Sequence, residues 1–225
     1  MPHFLILRLD GPMQAWGTHS FEDFRPTNLF PTRSGLLGLL GACLGIERDD
    51  MLAHARLAAS VTFAVRADQS VLRVATEKPV PKRAVKLPDF HTVIDARKVD
   101  GSPREFPIVS RREYLFDAVF TIAVGIQPGA TFTLAQFAEA LRHPCYTPTL
   151  GRRACPIARP LLDNELEAVD AKAALSTALP AGGLIYAEAD LPSDQPLRIR
   201  DVPMHGRKRQ FASRLAYLHK EPPCS

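Results

Sequence analysis

An α+β fold is what the sequence predicts, on three observations. Strand-like apolar runs at 4–9, 60–66 and 113–126 alternate with helix-period runs at 35–45 and 131–143, in the order strand, helix, strand, strand, helix. One more strand would complete the βαββαβ order of the ferredoxin-like arrangement. The chain has 20 prolines in 225 residues, about twice the norm of ~5%, which argues against a helical bundle. Hydrophobic residues make up 46% and charged residues 23%, a globular balance that excludes wholesale disorder.

The elements follow in order. Residues 4–9 suit a buried strand, ended by Gly11-Pro12. Residues 13–31 read as a loop anchored by Trp16, Phe21, Phe24 and Phe30. A helix follows, capped by Thr32 or Ser34, with Leu36, Leu37, Leu40 and Leu44 on one broad apolar face and Leu39 beside it. Gly35, Gly38, Gly41 and Gly45 form a bare stripe along it. Each glycine costs a helix up to ~1 kcal/mol, so something approaches the stripe closely. That is either a packed strand or helix, or a ligand backbone at the first turn. Residues 49–57 predict a second short helix. Residues 60–66 and 70–75 alternate with period two, and 67–70 link them as a hairpin. Between 78 and 112 periodicity fails amid prolines and charges, and ~35 residues is too long for a plain connector, which marks a functional excursion. Residues 113–126 are the strongest strand. Residues 131–143 predict a helix capped by Thr133, with Leu134, Phe137, Ala138 and Leu141 on one face and Pro144 as its stop. Residues 146–156 form a loop, 166–177 a helix, 183–188 and 197–202 strands, and 211–219 a final run. The expected organisation is a ferredoxin-like unit over 1–150 with an insertion at about 78–112, then a small β-rich C-terminal extension over 151–225.

Net charge is +4, but it is unevenly placed. The segments 78–113, 142–159 and 196–225 are basic, while 160–195 is acidic. Basic segments that converge make a groove for a polyanion; left apart, they are an ordinary basic surface. The four cysteines, Cys43, Cys145, Cys155 and Cys224, include no CxxC and no zinc-spaced His/Cys pair. The expectation is a reducing cytoplasm with no metal and no cofactor. The first apolar run is shorter than a signal peptide needs, and no stretch approaches the ~20 apolar residues of a membrane span, so no membrane partner is expected.

Arg33-Ser34-Gly35-Leu36-Leu37-Gly38 opens a helix whose free amides suit an anion. No GK[ST] follows, and no GxGxxG directly follows the first strand, so nucleotide-binding loops of those kinds are excluded. A single phosphate site remains: Arg33 with the amides near Ser34 and Gly35. His91 lies in the basic excursion near Lys82, Arg83 and Lys86. An imidazole with a lysine and a tyrosine can cleave RNA without metal by activating a 2′-hydroxyl; a hydrogen-bonding surface histidine is the plainer reading. No GxSxG, HExxH or paired-carboxylate signature occurs. Three clusters mix arginine with aromatics or glycine: Arg111-Arg112-Glu113-Tyr114, Tyr146 through Gly151-Arg152-Arg153, and Arg207-Lys208-Arg209-Gln210-Phe211. Guanidinium groups bind phosphate and stack on bases, the chemistry that reads unstacked RNA.

The sequence also resembles a known family. The blocks Leu5-Ile6-Leu7-Arg8-Leu9, Gly11-Pro12-Met13-Gln14-Ala15-Trp16-Gly17, Arg25-Pro26-Thr27 and the run from Phe30 to Ile46 carry the resemblance. It continues at His91-Thr92-Val93, Arg112-Glu113-Tyr114-Leu115, Tyr146-Thr147-Pro148, Leu150-Gly151-Arg152-Arg153 with Cys155-Pro156, and Arg209 through Arg214. The family is CasD, the guide-RNA 5′-handle-binding subunits of type I-E CRISPR Cascade complexes, within the RAMP superfamily. The resemblance implies a ferredoxin-like RAMP fold with a protruding thumb, which the 78–112 excursion fits. It implies a non-catalytic RNA-binding subunit of an antiviral surveillance complex. Such a subunit caps the crRNA 5′ handle, contacts the backbone subunit (CasC) and the large subunit (CasA), and meets target DNA indirectly. The related type I-C counterpart cuts repeat RNA itself, so a metal-independent endoribonuclease using His91 is the alternative, and a structural adaptor meeting acidic protein surfaces is a third reading. The expected RNA-binding residues are Arg33, Ser34, Gly35, His91, Arg111, Arg112, Tyr146, Arg152, Arg153, Arg207 and Arg209.

Overall fold

The computed structural model describes residues 1–18, 20, 22–72, 80–82, 84–179, 182–188, 195–205 and 210–221. β1 (His3–Asp10) buries six successive residues, Phe4 to Leu9, because the sheet is covered on both faces where it lies. Its alternation divides two cores: Leu5, Leu7 and Leu9 point to one, Phe4 and Ile6 to the other. α1 (Arg33–Leu44) begins at Thr32, whose hydroxyl accepts from the Gly35 amide, and ends at Gly45 with φ 74°. α2 (Met51–Ser60) is capped by Asp50 and runs into β2 (Val61–Asp68). β3 (Val85–Val93) and β4 (Ile108–Phe116) pair in register from Val93–Ile108 to Val85–Phe116. β5 (Val119–Ile126) returns to the main sheet. α3 (Leu134–Arg142) carries a capping box between Thr133 and Gln136. β6 (Leu162–Glu167), α4 (Ala171–Thr177), β7 (Gly183–Ala187), β8 (Gln195–Pro203) and β9 (Phe211–Glu221) follow.

Seven strands form one sheet in the order β6-β1-β5-β2-β7-β9-β8, antiparallel at every pairing. The first four, β6-β1-β5-β2, are the two interleaved strand–helix units of the expected βαββαβ order. Strands from residues 151–225 extend this same sheet at both ends. α1 and α3 lie over one face with Trp16 and Phe137 in the larger core; α4 covers the other with Ala174 and Leu175. Arg66, fully buried, donates to Asp68 Oδ1 at 2.7 Å and to the carbonyls of Leu175 and Ala178 at 2.5 and 2.9 Å. A cation there satisfies the carbonyls that the end of α4 leaves free.

Several expectations are corrected. The 113–126 run is two strands, broken at Asp117, which turns the chain with φ 57°. Ser70–Leu72 pairs with Val80–Lys82 instead of folding back on β2. The 166–177 helix is instead the end of β6 followed by α4, with Asp170 accepting from the Ala173 amide as its cap. The excursion is the β3–β4 hairpin, an arm exposed along most of β3. Residues 13–31 hold short ladders: Trp16–Gly17 with Thr27–Asn28, and Met13–Gln14 and Phe24–Arg25 against β4. The glycine stripe is filled by three separate side chains. The Trp16 ring lies on Gly35, His54 on Gly41 and Cys145 on Gly45, while Gly38 has nothing within 4 Å.

Candidate nucleic-acid interface

Gly38 is bare because it floors a groove of about 970 Å3. Ser34, Gly35, Gly38 and Ala42 of α1 form the floor. One wall is the strap from Ala15 to Thr18 with Arg25, Gly151 and Arg152; the other is 197–200 of β8 with Gln210 and Phe211. A chain of buried hydrogen bonds builds the first wall. Gln14 Nε2 donates to the carbonyls of Leu9 and Ala118 at 3.1 and 2.8 Å, and its Oε1 accepts from Trp16 Nε1 at 3.1 Å. The Trp16 amide donates to Thr27 Oγ1 at 2.7 Å. Gly151 has φ 91°, and a Cβ there would lie 1.8 Å from the Ala15 carbonyl oxygen, so only glycine lets this loop touch the strap.

Four arginines line the groove: Arg25, Arg152, Arg198 and Arg200. Arg152 donates to the carbonyls of Glu113 and Arg25, both at 2.8 Å, and its guanidinium lies 4.8 Å from the Tyr114 ring centroid. Arg200 Nε donates to the Phe211 carbonyl at 2.9 Å, and Arg25 donates to the carbonyls of Glu22 and Phe24. Carbonyls orient these groups without neutralising them. Among the described residues none of the four has a carboxylate within ion-pair distance, so the groove is cationic and its floor open to a backbone.

The structure sorts the expected residues. Arg33 is turned inward. Its Nη1 lies 2.5 and 2.6 Å from the Glu188 oxygens, its Nη2 donates to the carbonyls of Ala58 and Val61, and its guanidinium lies 5.4 Å from the Phe63 ring centroid. Its amide donates to Asp201 Oδ2 at 2.7 Å, so a protein carboxylate occupies the helix end that the sequence offers to a phosphate. Gly35 carries the Trp16 ring, and both it and Ser34 line the groove. His91 stands on β3 with Nε2 3.0 Å from both the Tyr114 hydroxyl and Asp89 Oδ2. Arg111 is exposed, its guanidinium 5.2 Å from the Phe90 ring centroid. Arg112 Nε donates to Ser110 Oγ at 3.1 Å, and its backbone pairs with that of Arg25, so the root of the arm adjoins the groove. The Tyr146 hydroxyl donates to Glu47, and that bond raises the phenol above its ordinary range. Tyr146 lies outside the groove, as does exposed Arg153. Arg207 and Arg209 lie outside the described residues. The sequence reading missed Arg25, Arg198 and Arg200. For the last two a signal existed: two arginines at alternate positions of a predicted strand share a face. Among the described residues, no three His, Cys, Asp or Glu side chains come together as a metal site would require.

The split βαβ sheet with its protruding hairpin matches solved structures of RAMP-like CRISPR proteins. The chain is a member of the Cas5 family: a model described as CRISPR-associated protein (Cas_Cas5) matches residues 4–217. It is 46% identical over 222 residues to a protein of Escherichia coli (strain K12) named CRISPR system Cascade subunit CasD, covering 98% of this chain and 97% of that one. A structure titled CRISPR RNA-guided surveillance complex contains a chain that superposes with a TM-score of 0.74 at 29% identity, covering 96% of this chain and 89% of the other. A second, titled Crystal structure of Cas protein, gives 0.61 at 25% identity, with 97% and 93% covered.

Proposed function

We propose that this chain is the CasD-type subunit of a type I-E CRISPR surveillance complex, in which it holds the 5′ handle of the crRNA without cutting it. The observation that carries the reading is the groove: four arginines, none with a carboxylate within ion-pair distance among the described residues, facing the floor around Gly38. Phosphates of a hooked strand fit the arginines, and unstacked bases fit the aromatic edge at Phe211. The exposed arm continues the cationic surface through Arg111 and Arg112, with Arg153, Arg207 and Arg209 as further RNA contacts. The backbone subunit (CasC) and the large subunit (CasA) are its protein partners, target DNA is met only indirectly, and the setting is the cytoplasm.

One observation favours the endoribonuclease alternative: His91 has a tyrosine partner. Against it, Tyr114 is only 3% exposed, with Arg152 over its ring and its hydroxyl engaged by His91, an arrangement suited to orienting the imidazole. The test uses purified full-length chain and labelled repeat RNA of the same source, with EDTA present. Intact RNA on a denaturing gel, together with a native-gel shift of 5′-handle RNA, is expected. A discrete cut abolished by His91→Ala would make the protein a guide-processing nuclease.

A further inference from the structure

We infer that Asp201 is a positioning residue for RNA binding: with Arg33, Glu188 and Arg214 it closes a ring of charges that holds the β8 wall against the α1 floor and sets the width of the groove. The inference rests on the groove being the RNA site proposed above. Strand register carries it. β8 and β9 pair so that Arg200 faces Ser213 and Val202 faces Ala212. Asp201 is therefore the extra residue of a β-bulge, a device that re-aims a side chain where a regular ladder would not. It is turned inward, 2% exposed.

The ring closes through measured contacts. Asp201 Oδ2 accepts from the amide of Arg33, the first residue of α1, at 2.7 Å. The same carboxylate accepts from Arg214 Nε and Nη2 at 2.7 and 2.9 Å. Arg214 Nη1 lies 3.5 Å from Glu188 Oε1. Glu188 receives Arg33 Nη1 on both oxygens, and its Oε2 also accepts from the Phe63 amide at 3.0 Å. Two cations and two anions cancel, so the ring adds no field to the groove. What it adds is rigidity between α1, β2, β8 and β9. Arg200 is the next residue along from Asp201 and Arg198 lies on the same strand, so a slack ring moves both relative to the floor.

Two accounts of Asp201 predict opposite signs. As a mere acid beside a cationic groove, its neutralisation would raise the local potential and tighten RNA binding. As a positioning residue, its neutralisation loosens the wall and weakens binding of the shaped handle. The test is fluorescence anisotropy of the full-length chain with labelled 5′-handle RNA and with a scrambled RNA of equal length. Circular dichroism verifies that each variant is folded at the assay temperature. Asp201→Asn is expected to weaken handle binding about tenfold while scrambled RNA, held by charge alone, binds as before or tighter. Glu188→Gln, on the far side of the ring, gives the same pattern. Arg214→Lys keeps the charge but loses the two-pronged contact, and falls between wild type and Asp201→Asn. Handle binding that is unchanged or tighter in both Asp201→Asn and Glu188→Gln overturns the inference, as does an equal loss for both RNAs. A wild-type chain that does not prefer the handle overturns the proposed function instead.

Discussion

Arg33 separates a fold role from an RNA role more sharply than any other residue here. The sequence offers it as a phosphate ligand; the structure spends its donors inside the protein. Its side chain is 12% exposed and that of Glu188 17%. Arg33→Ala takes from the Glu188 carboxylate its nearer cation and frees the carbonyls of Ala58 and Val61. Breaking a buried ion pair from one side costs about 3–5 kcal/mol. Arg214 remains 3.5 Å from Glu188, which places the loss near about 3 kcal/mol. For a chain of this size each kcal/mol moves Tm by about 2–4 °C, so a fall of about 6–12 °C follows. Thermal unfolding by circular dichroism measures it. In parallel, the salt dependence of handle-RNA binding keeps its wild-type slope, because Arg33 itself touches no phosphate and the groove arginines keep their charge. A variant with the wild-type Tm and a slope shallower by about 0.7 would refute this reasoning and restore Arg33 to the phosphate.

Three other outcomes follow from the same geometry. Gly151→Ala combines a positive φ with a backbone clash, about 1–2 kcal/mol for the first and about 1–3 for the second; it lowers the urea midpoint, whereas Gly38→Ala, whose Cβ would meet nothing within 4 Å, raises it by a stability gain of up to ~1 kcal/mol. Burial pushes the Glu113 carboxyl up, but hydrogen bonds from Lys86 Nζ at 2.8 Å and the Thr27 amide at 3.0 Å outweigh it and hold the group below its usual 4.5. A lowered carboxylate contributes stability above its unfolded pKa and loses it as pH falls through the folded value, so Glu113→Gln flattens the fall of Tm with pH below 4.5. In a Cys224→Ser background at about pH 8, Cys145 is the thiol that reacts quickly with a disulfide reagent. Cys43, pushed up to about 11 by burial, and buried Cys155 stay silent, and Cys145→Ser abolishes the fast phase.

Local signals in the sequence carried most of the fold. The cap at Thr32 or Ser34, the leucine face and Gly45 bracketed α1 to within two residues, and Thr133 marked the cap of α3 although the predicted range began at 131, because caps act within one turn. Failures came where no local residue announces a break. Asp117 turns the chain between two apolar strands without glycine or proline, so the 113–126 run reads as one strand. Leu166 and Glu167 alternate like either element, and pairing with β1 decides for strand. The site was less legible. Arg33 has its partner Glu188 155 residues away, a distance across which no spacing rule reaches. Arg152 lines the groove, yet half its work is to join two carbonyls from separate segments. The alternation of Arg198 and Arg200 put them on one face of a predicted strand, but only the strand order beside α1 shows that this face lines the groove.

The most direct test of the central claim, that this groove holds RNA phosphates, is the salt slope of 5′-handle RNA binding to the Arg198→Ala/Arg200→Ala double variant. Both side chains are exposed on β8 and make no described ion pair, so Tm is expected to stay within about 2 °C of wild type. Two lost phosphate contacts make the log–log slope shallower by about 1.4, at about 0.7 per contact on single strands. A wild-type slope and affinity in the double variant would contradict the account and move the RNA off the groove.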